Sequence, residues 1–281
     1  MKQRITFGSM MLLSCVLSMP AFVSCDKDEP ETLSSAASLN GHEYVDLGLS
    51  VKWATCNIGA ASPAQPGDFF AWSAVKPFYK PGSALSEDPE WDGYTSGYSM
   101  TGSPYYKSYL DFGKGEIIAT WTRYFPKGSD YDFYDKSDPL WRDTRLVSED
   151  DAASVNWGDK WRMPTKSEFE ELLDTAKCKV EMYMYADSAF LGSEYGIKIT
   201  SKVPGYEGNF ILLPTSGGAR QDKEITYVPG TTFYWTGDLD ISNPDNDSYC
   251  KKAWTLGFVL NIPFATSAYR YAGMQVRPVF K

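Results

Sequence analysis

The stretch GDLDISNPDNDSYC, residues 237 to 250, crowds hard oxygen donors together: Asp238, Asp240, Asn243, Asp245, Asn246 and Asp247. Carboxylate and amide oxygens are the ligands calcium takes, so Asp238, Asp240, Asp245 and Asp247 are candidate calcium ligands. The run lacks the EF-hand glycine at its sixth position and has Tyr249 where the bidentate acid belongs. A solvated turn rich in Asp and Asn is the plainer reading.

Other chemistry finds fewer reagents. His42 is the only histidine, beside Gly41 at the start of a strand pattern, and reads as a surface or edge residue. No G-x-S-x-G elbow is present, and any triad depending on histidine would have to use His42. The 36 acidic residues supply many possible carboxylate pairs for glycoside hydrolysis, but the sequence does not say which converge. Catalytic residues are therefore not assigned, and no cofactor is expected beyond that calcium.

Aromatics are the stronger signal. Trp91 and Tyr94 open a run of tyrosines and tryptophans set among Gly, Ser, Pro and Asp, without apolar periodicity. On loops, Tyr and Trp offer a stacking face with a polar handle, which suits sugar rings or protein epitopes, although such rings also cover a core.

These residues need a scaffold. At 43% hydrophobic and 15% aromatic, the 281-residue chain can bury a sizeable core. Lys2 and Arg4 precede an apolar run interrupted by Pro20, too short for a membrane span, so residues 1–24 read as a secretory signal. The run ends FVSC, which resembles a bacterial lipoprotein signal and makes Cys25 the lipidated residue. Loss of Lys2 and Arg4 takes the formal charge from −9 to −11. Such acidity argues against nucleic acid and anionic membrane surfaces as partners, leaving the lipid as the only membrane attachment. Residues 25–40, acidic and then Ser/Ala-rich, form a flexible tether, and CDKDEPE is similar to the acidic signal that sends Bacteroidetes lipoproteins to the outer face of the outer membrane. Cys56, Cys178 and Cys250 then remain. Three cysteines allow one disulfide at most, with Cys56 to Cys178 and Cys56 to Cys250 both open.

In the folded part, NGHEYVDLGLSVKWATCNIGA reads as two short strands around a turn, and GDFFAWS as another. Residues 77–147 form a long aromatic insertion with Ile117 to Thr122 as its one strand. SEDDAASVNWG is a helix opening at Ser148 with Asp151 and closing at Gly158. In WGDKWRMPTKSEFEELL, Thr165 and Glu168 write a capping box, and Phe169, Leu172, Leu173 and Ala176 form an apolar stripe behind it. Strand-like runs follow: CKVEMYMY, YGIKITSK, GNFILLPTSG, TTFYWTGD, KAWTLGFVL and MQVRPVF. Two helices with many short, mostly antiparallel strands and long irregular loops give an α+β class.

In order along Gly41 to Phe280, the blocks GHEYVDLGLSVKWATCNIGA, GDFFAWS, EDDAASVNWGDKWRMPTKSEFEELL, GNFILLPTSGGA, FYWTGD and GMQVRPVF resemble the Fibrobacter succinogenes major paralogous domain, FISUMP, as found in Bacteroidetes lipoproteins. The chain departs from it at YWTGD, where the family has Trp-Ser-Ser, and at GGAR. The resemblance implies one domain over residues 41–281 with a C-type-lectin-like fold, related to formylglycine-generating enzymes. It matches their R-L-P-T-x-x-E-W block at Arg162, Met163, Pro164, Thr165, Glu168 and Phe169. It implies that Trp53, Trp72, Trp161 and Trp235 are core. Tyr249, Trp254, Asn261, Tyr269, Arg270 and Tyr271 then lie where lectin-like folds present their ligand face. Only Cys250 lies near the C-terminus, which disfavours a formylglycine-type oxidase. The expected protein is a lipid-anchored, non-catalytic binder of glycan or protein ligands at the outer membrane surface. A structural or adhesive subunit is the alternative, and a carbohydrate-active enzyme the third reading. Fold analogy does not transmit activity, so the loops have to supply it.

Overall fold

The computed structural model describes residues 37–77, 106–111, 116–121, 124, 143–184, 195–216, 218–219, 225–226, 231–243, 251–259, 262–270 and 272–281. In chain order the elements are strands β1 (Ala37–Leu39), β2 (His42–Val45), β3 (Lys52–Ala54), β4 (Tyr106–Asp111) and β5 (Glu116–Trp121). A 3-10 turn (Ser148–Asp150) then leads into helices α1 (Ala152–Trp157) and α2 (Lys166–Leu172). The remaining strands are β6 (Cys178–Met184), β7 (Tyr195–Ser201), β8 (Phe210–Pro214), β9 (Gly218–Ala219), β10 (Ile225–Thr226), β11 (Thr231–Leu239), β12 (Lys252–Val259), β13 (Ile262–Tyr269) and β14 (Val279–Phe280). The strands pair antiparallel as β1-β2-β3-β14, β6-β7-β8, β11-β12-β13, β4-β5 and β9-β10. Mostly antiparallel sheet with two short helices agrees with the coarse α+β expectation.

Both capping expectations can be read in atoms. Thr165 accepts from the Glu168 N–H at 3.1 Å while the Glu168 carboxylate accepts from the Thr165 N–H at 2.8 Å, so the box is complete. Phe169 and Leu172 are buried on the apolar stripe, but the helix stops at Leu172 and Ala176 sits exposed in the following turn. The helix expected to open at Ser148 begins instead after Asp151. Its carboxylate accepts from the N–H groups of Ala153 and Ser154 and thereby caps α1, leaving Ser148 to a single 3-10 turn.

Three other boundaries move. The fold starts before Gly41, because Asn40-Gly41 forms a two-residue hairpin turn with φ of 53° and 81°, pairing the end of the expected tether as β1 against β2. GDFFAWS makes only an isolated bridge, Phe70 with Met274. Phe69, Phe70, Ala71 and Trp72 are fully or almost fully buried, and their segment bonds to the C-terminal stretch instead of joining a sheet. IPFATSAY, absent from the expected strand runs, forms β13 at the end of the β11-β12-β13 order, where Pro263 is tolerated. Within the insertion, β4 pairs with the expected β5 as a hairpin.

Two hydrophobic clusters lie on opposite faces of β11 and β12. Alternation along the strands assigns them: Trp235, Leu239 and Ala253 join Trp72, Trp157, Trp161 and Val276, whereas Tyr234, Leu256 and Phe258 join Trp53, Phe169, Ile197, Leu213 and Val279. The four tryptophans expected in the core, Trp53, Trp72, Trp161 and Trp235, are fully buried. Gly257 sits where a Cβ would lie 2.6 Å from the Phe264 ring and 3.0 Å from the Phe233 ring, so its lack of a side chain lets those rings meet edge to face across the sheet.

Candidate functional site

The polar residues of the most recognisable blocks point inward. Arg277 is fully buried; its guanidinium donates to Asn57 Oδ1 at 2.7 Å, to the Ala54 and Thr55 carbonyls, and to the Leu212 carbonyl at 2.8 Å. It joins the CNIGA, FILLP and QVRPVF segments at one point. Gln275 adds bonds to Thr232 and to the Pro66 carbonyl. Arg162 grips Glu168 in a fork, Nη1 to Oε2 at 2.8 Å and Nη2 to Oε1 at 2.6 Å. Burial works to raise the Glu168 carboxyl, but Arg162 and the Thr165 contacts outweigh it and hold it below the usual range. Asp151 takes a third N–H, from Met163, and burial pushes its carboxyl up to about 6 despite those bonds.

A different set of residues comes to the surface on β12 and β13. Lys252, Trp254, Leu256 and Phe258 alternate onto one face of the sheet; Leu256 and Phe258 are covered by the second cluster, while Lys252 and Trp254 are half-buried beyond it. Cross-strand register places Tyr269 opposite Lys252 and Ser267 opposite Trp254, so Trp254 and Tyr269 share this face although fifteen residues apart. Tyr269 is 40% exposed. The Lys252 ammonium lies 5.0 Å from the Tyr269 ring centre, and the Lys166 ammonium 3.9 Å from that of Trp254.

Lys166 is placed there by Asp238. A β-bulge between Trp235 and Leu239 lets Asp238 accept from Arg145 Nε and from the Lys166 backbone N–H, each at 2.7 Å. Asp240 completes the face. Its N–H bonds the Lys252 carbonyl and its carboxylate accepts from Ser242 N–H and Oγ; burial would raise this carboxyl, but Ser242 and Ser267 hold it below the usual range. The face thus offers two aromatic rings, two ammonium groups, a carboxylate and hydroxyls. In chemical terms such a set can stack on and hydrogen-bond a polyol only if Lys166 leaves the Trp254 ring, at a cost of about 0.5–1 kcal/mol for a surface cation–π contact.

Of the residues singled out in the sequence, Trp254 and Tyr269 meet here and Arg270 does not. One residue beyond Tyr269, it turns to the opposite side and is fully buried, 4.7 Å from the Trp72 ring centre and bonded to the Tyr124 carbonyl. Asp238 and Asp240 are engaged by protein donors, and among the described residues no group of three or more His, Cys, Asp or Glu is placed to hold a metal ion. Tyr249, Asn261, Tyr271, Trp91, Tyr94, Asp245, Asp247 and Cys25 lie outside the described residues. His42, expected at the surface or an edge, opens the interior strand β2 opposite Leu39 and is half-buried, its ring centre 3.7 Å from that of Trp157 in a stack. Cys56 and Cys178 are free thiols. Lys166, Lys252 and Ser267 escaped the sequence reading, and Asp240 was singled out only as a calcium ligand; the alternation in KKAWTLGFVL was the available signal for Lys252, and only register could add Ser267.

Among the described residues no helix is long and apolar enough to cross a membrane. Comparison of the chain with known protein families, curated proteins and solved structures gives no match.

Proposed function

We propose that this chain is a surface-anchored, non-catalytic recognition lipoprotein of the FISUMP type, with a lectin-like domain that takes glycan or protein ligands on the β12–β13 face. The observation that carries the reading is the convergence of Trp254 and Tyr269 with Lys166, Lys252, Asp240 and Ser267 on one sheet face. The lectin-like part is supported by the pairing of β14 with β3, which brings the chain end beside the first strands, and by the R-M-P-T block opening α2. The anchor rests on the FVSC signal and Cys25.

Probing glycan and protein arrays with the full chain should give saturable hits that Trp254→Ala and Tyr269→Ala each weaken while the variants keep a cooperative melting transition. An array without hits would reject the reading. Incorporation of labelled palmitate, lost in Cys25→Ala, tests the anchor. Turnover of a polysaccharide abolished by one Asp or Glu substitution would replace the binder with a carbohydrate-active enzyme, and a stable co-purifying subunit would replace it with an assembly component.

A further inference from the structure

Strand β13 reads IPFATSAY, eight residues without a charged side chain in a chain that is 22% charged. Among the described strands it pairs with β12 alone, so within this set its other side is a sheet edge. All eight residues are exposed or half-buried, Ile262 to 64%. Long edges of this kind usually carry charge, a bulge or a cover against pairing; among the described residues Pro263 at one end is the only such device.

Register fixes which backbone groups face outward. The Val259–Ile262 pair closes a two-residue connection, so the even-numbered residues of β13 exchange bonds with β12. Arg270, in the same phase, donates its N–H to the Lys251 carbonyl at 3.0 Å. Ala265 and Ser267 therefore turn N–H and C=O to the edge.

We propose that β13 is a two-fold interface where a second copy of this chain pairs antiparallel about Thr266, joining two β11-β12-β13 sheets into one. The occupant follows from the strand itself. Opposed residues in an antiparallel pair share a face, so a self-pairing register must match odd with odd and even with even. Centring on Thr266 sets Ala265 of each copy against Ser267 of the other, and all outward donors and acceptors of these two residues are matched without calling on Pro263 for a donor it lacks. Centring on Ala265 would instead leave the Ser267 carbonyl facing that proline. Thr266 meets Thr266, Phe264 meets Ala268, and Tyr269 comes beside the second copy's Pro263. No like charges are opposed, although each chain carries −9. The two-fold axis stands perpendicular to the joined sheet, so the Trp254 faces of both copies lie on the same side and could engage a repetitive ligand together.

The test is the mass of the purified full-length chain over a concentration range, by light scattering. The parent should pass from monomer to dimer. Thr266→Lys and Thr266→Glu should each weaken dimerisation at least about tenfold by placing like charges on the axis, and an equimolar mixture of the two should restore it as a heterodimer. Ala265→Pro, at an exposed residue, removes an outward N–H without touching the inward ladder and should act alike, which keeps the test valid if a Thr266 variant loses its melting transition. A parent that stays monomeric to about 100 μM, or dimers indifferent to Thr266→Lys and Ala265→Pro, would overturn the proposal and leave the edge to an extended segment of another protein.

Discussion

Arg277 and Tyr269 lie eight residues apart and represent two opposite uses of polar side chains. Arg277 is fully buried and spends its guanidinium on Asn57 and three carbonyls from β3, the turn after it and β8. Tyr269 is 40% exposed on a face shared with Trp254 and two lysines. Around Arg277, Arg162 and Asp151 the recognisable sequence blocks are consumed in holding segments together, and the β12–β13 face asks little of the fold. The contrast separates polar side chains that hold the fold together from those left for a ligand, and the proposed function rests on the second set.

That contrast is breakable by substitution. Arg277→Met removes the donors from four acceptors, three buried and one part-buried, and should cost roughly 3–5 kcal/mol in urea denaturation, enough to unfold a marginal domain. A loss below about 1 kcal/mol would mean the network is not structural. Asp151 gives the next largest effect, through pH. Its folded pKa of about 6 lies above the 3.8 of an ordinary aspartate, so the folded state holds the extra proton between these values. Stability contributed by Asp151 is present below pH 4 and falls by about 3 kcal/mol as pH rises through 6. Glu168 and Asp240, both held below their usual range, act in the opposite direction at more acidic pH. Urea midpoints from pH 4 to 7, compared between the parent and Asp151→Asn, isolate the difference; parallel curves would contradict the buried-carboxyl assignment. Glu168→Gln keeps a capping side chain but turns an amide toward one Arg162 donor, for roughly 1–3 kcal/mol. Tyr269→Ala should cost under about 1 kcal/mol, since the side chain is exposed and its Lys252 contact is a surface cation–π pair.

The scaffold was legible where local chemistry decides structure. Thr165 with Glu168 specified the start of α2, Gly158 the end of α1, and alternating apolar residues the strands β6, β7, β8, β11 and β12. Legibility failed where long-range contacts decide. GDFFAWS has a strand's composition, yet its hydrogen bonds go to the C-terminal segment, and Ala37–Leu39 has none of a strand's composition but is paired by the Asn40-Gly41 turn. Helix starts competed at Ser148 and Asp151, and only the carboxylate reaches two N–H groups. At the candidate face, Trp254 and Tyr269 could be picked out as surface aromatics, but their convergence depends on strand register, and Lys166 arrives from α2 through Asp238. Arg270 failed for a simple reason: neighbours at a strand end point to opposite sides, and one of the pair had to be inside.

The central claim of the proposal, that recognition resides on the β12–β13 face and not in the buried polar networks, is tested most directly by titrating an array-identified ligand against the parent and the Trp254→Ala/Tyr269→Ala double variant, with urea denaturation of both. The account predicts at least about a hundredfold loss of affinity, two stacking contacts removed, with the denaturation midpoint shifted only as surface contacts require. Undiminished affinity in a folded double variant would contradict it.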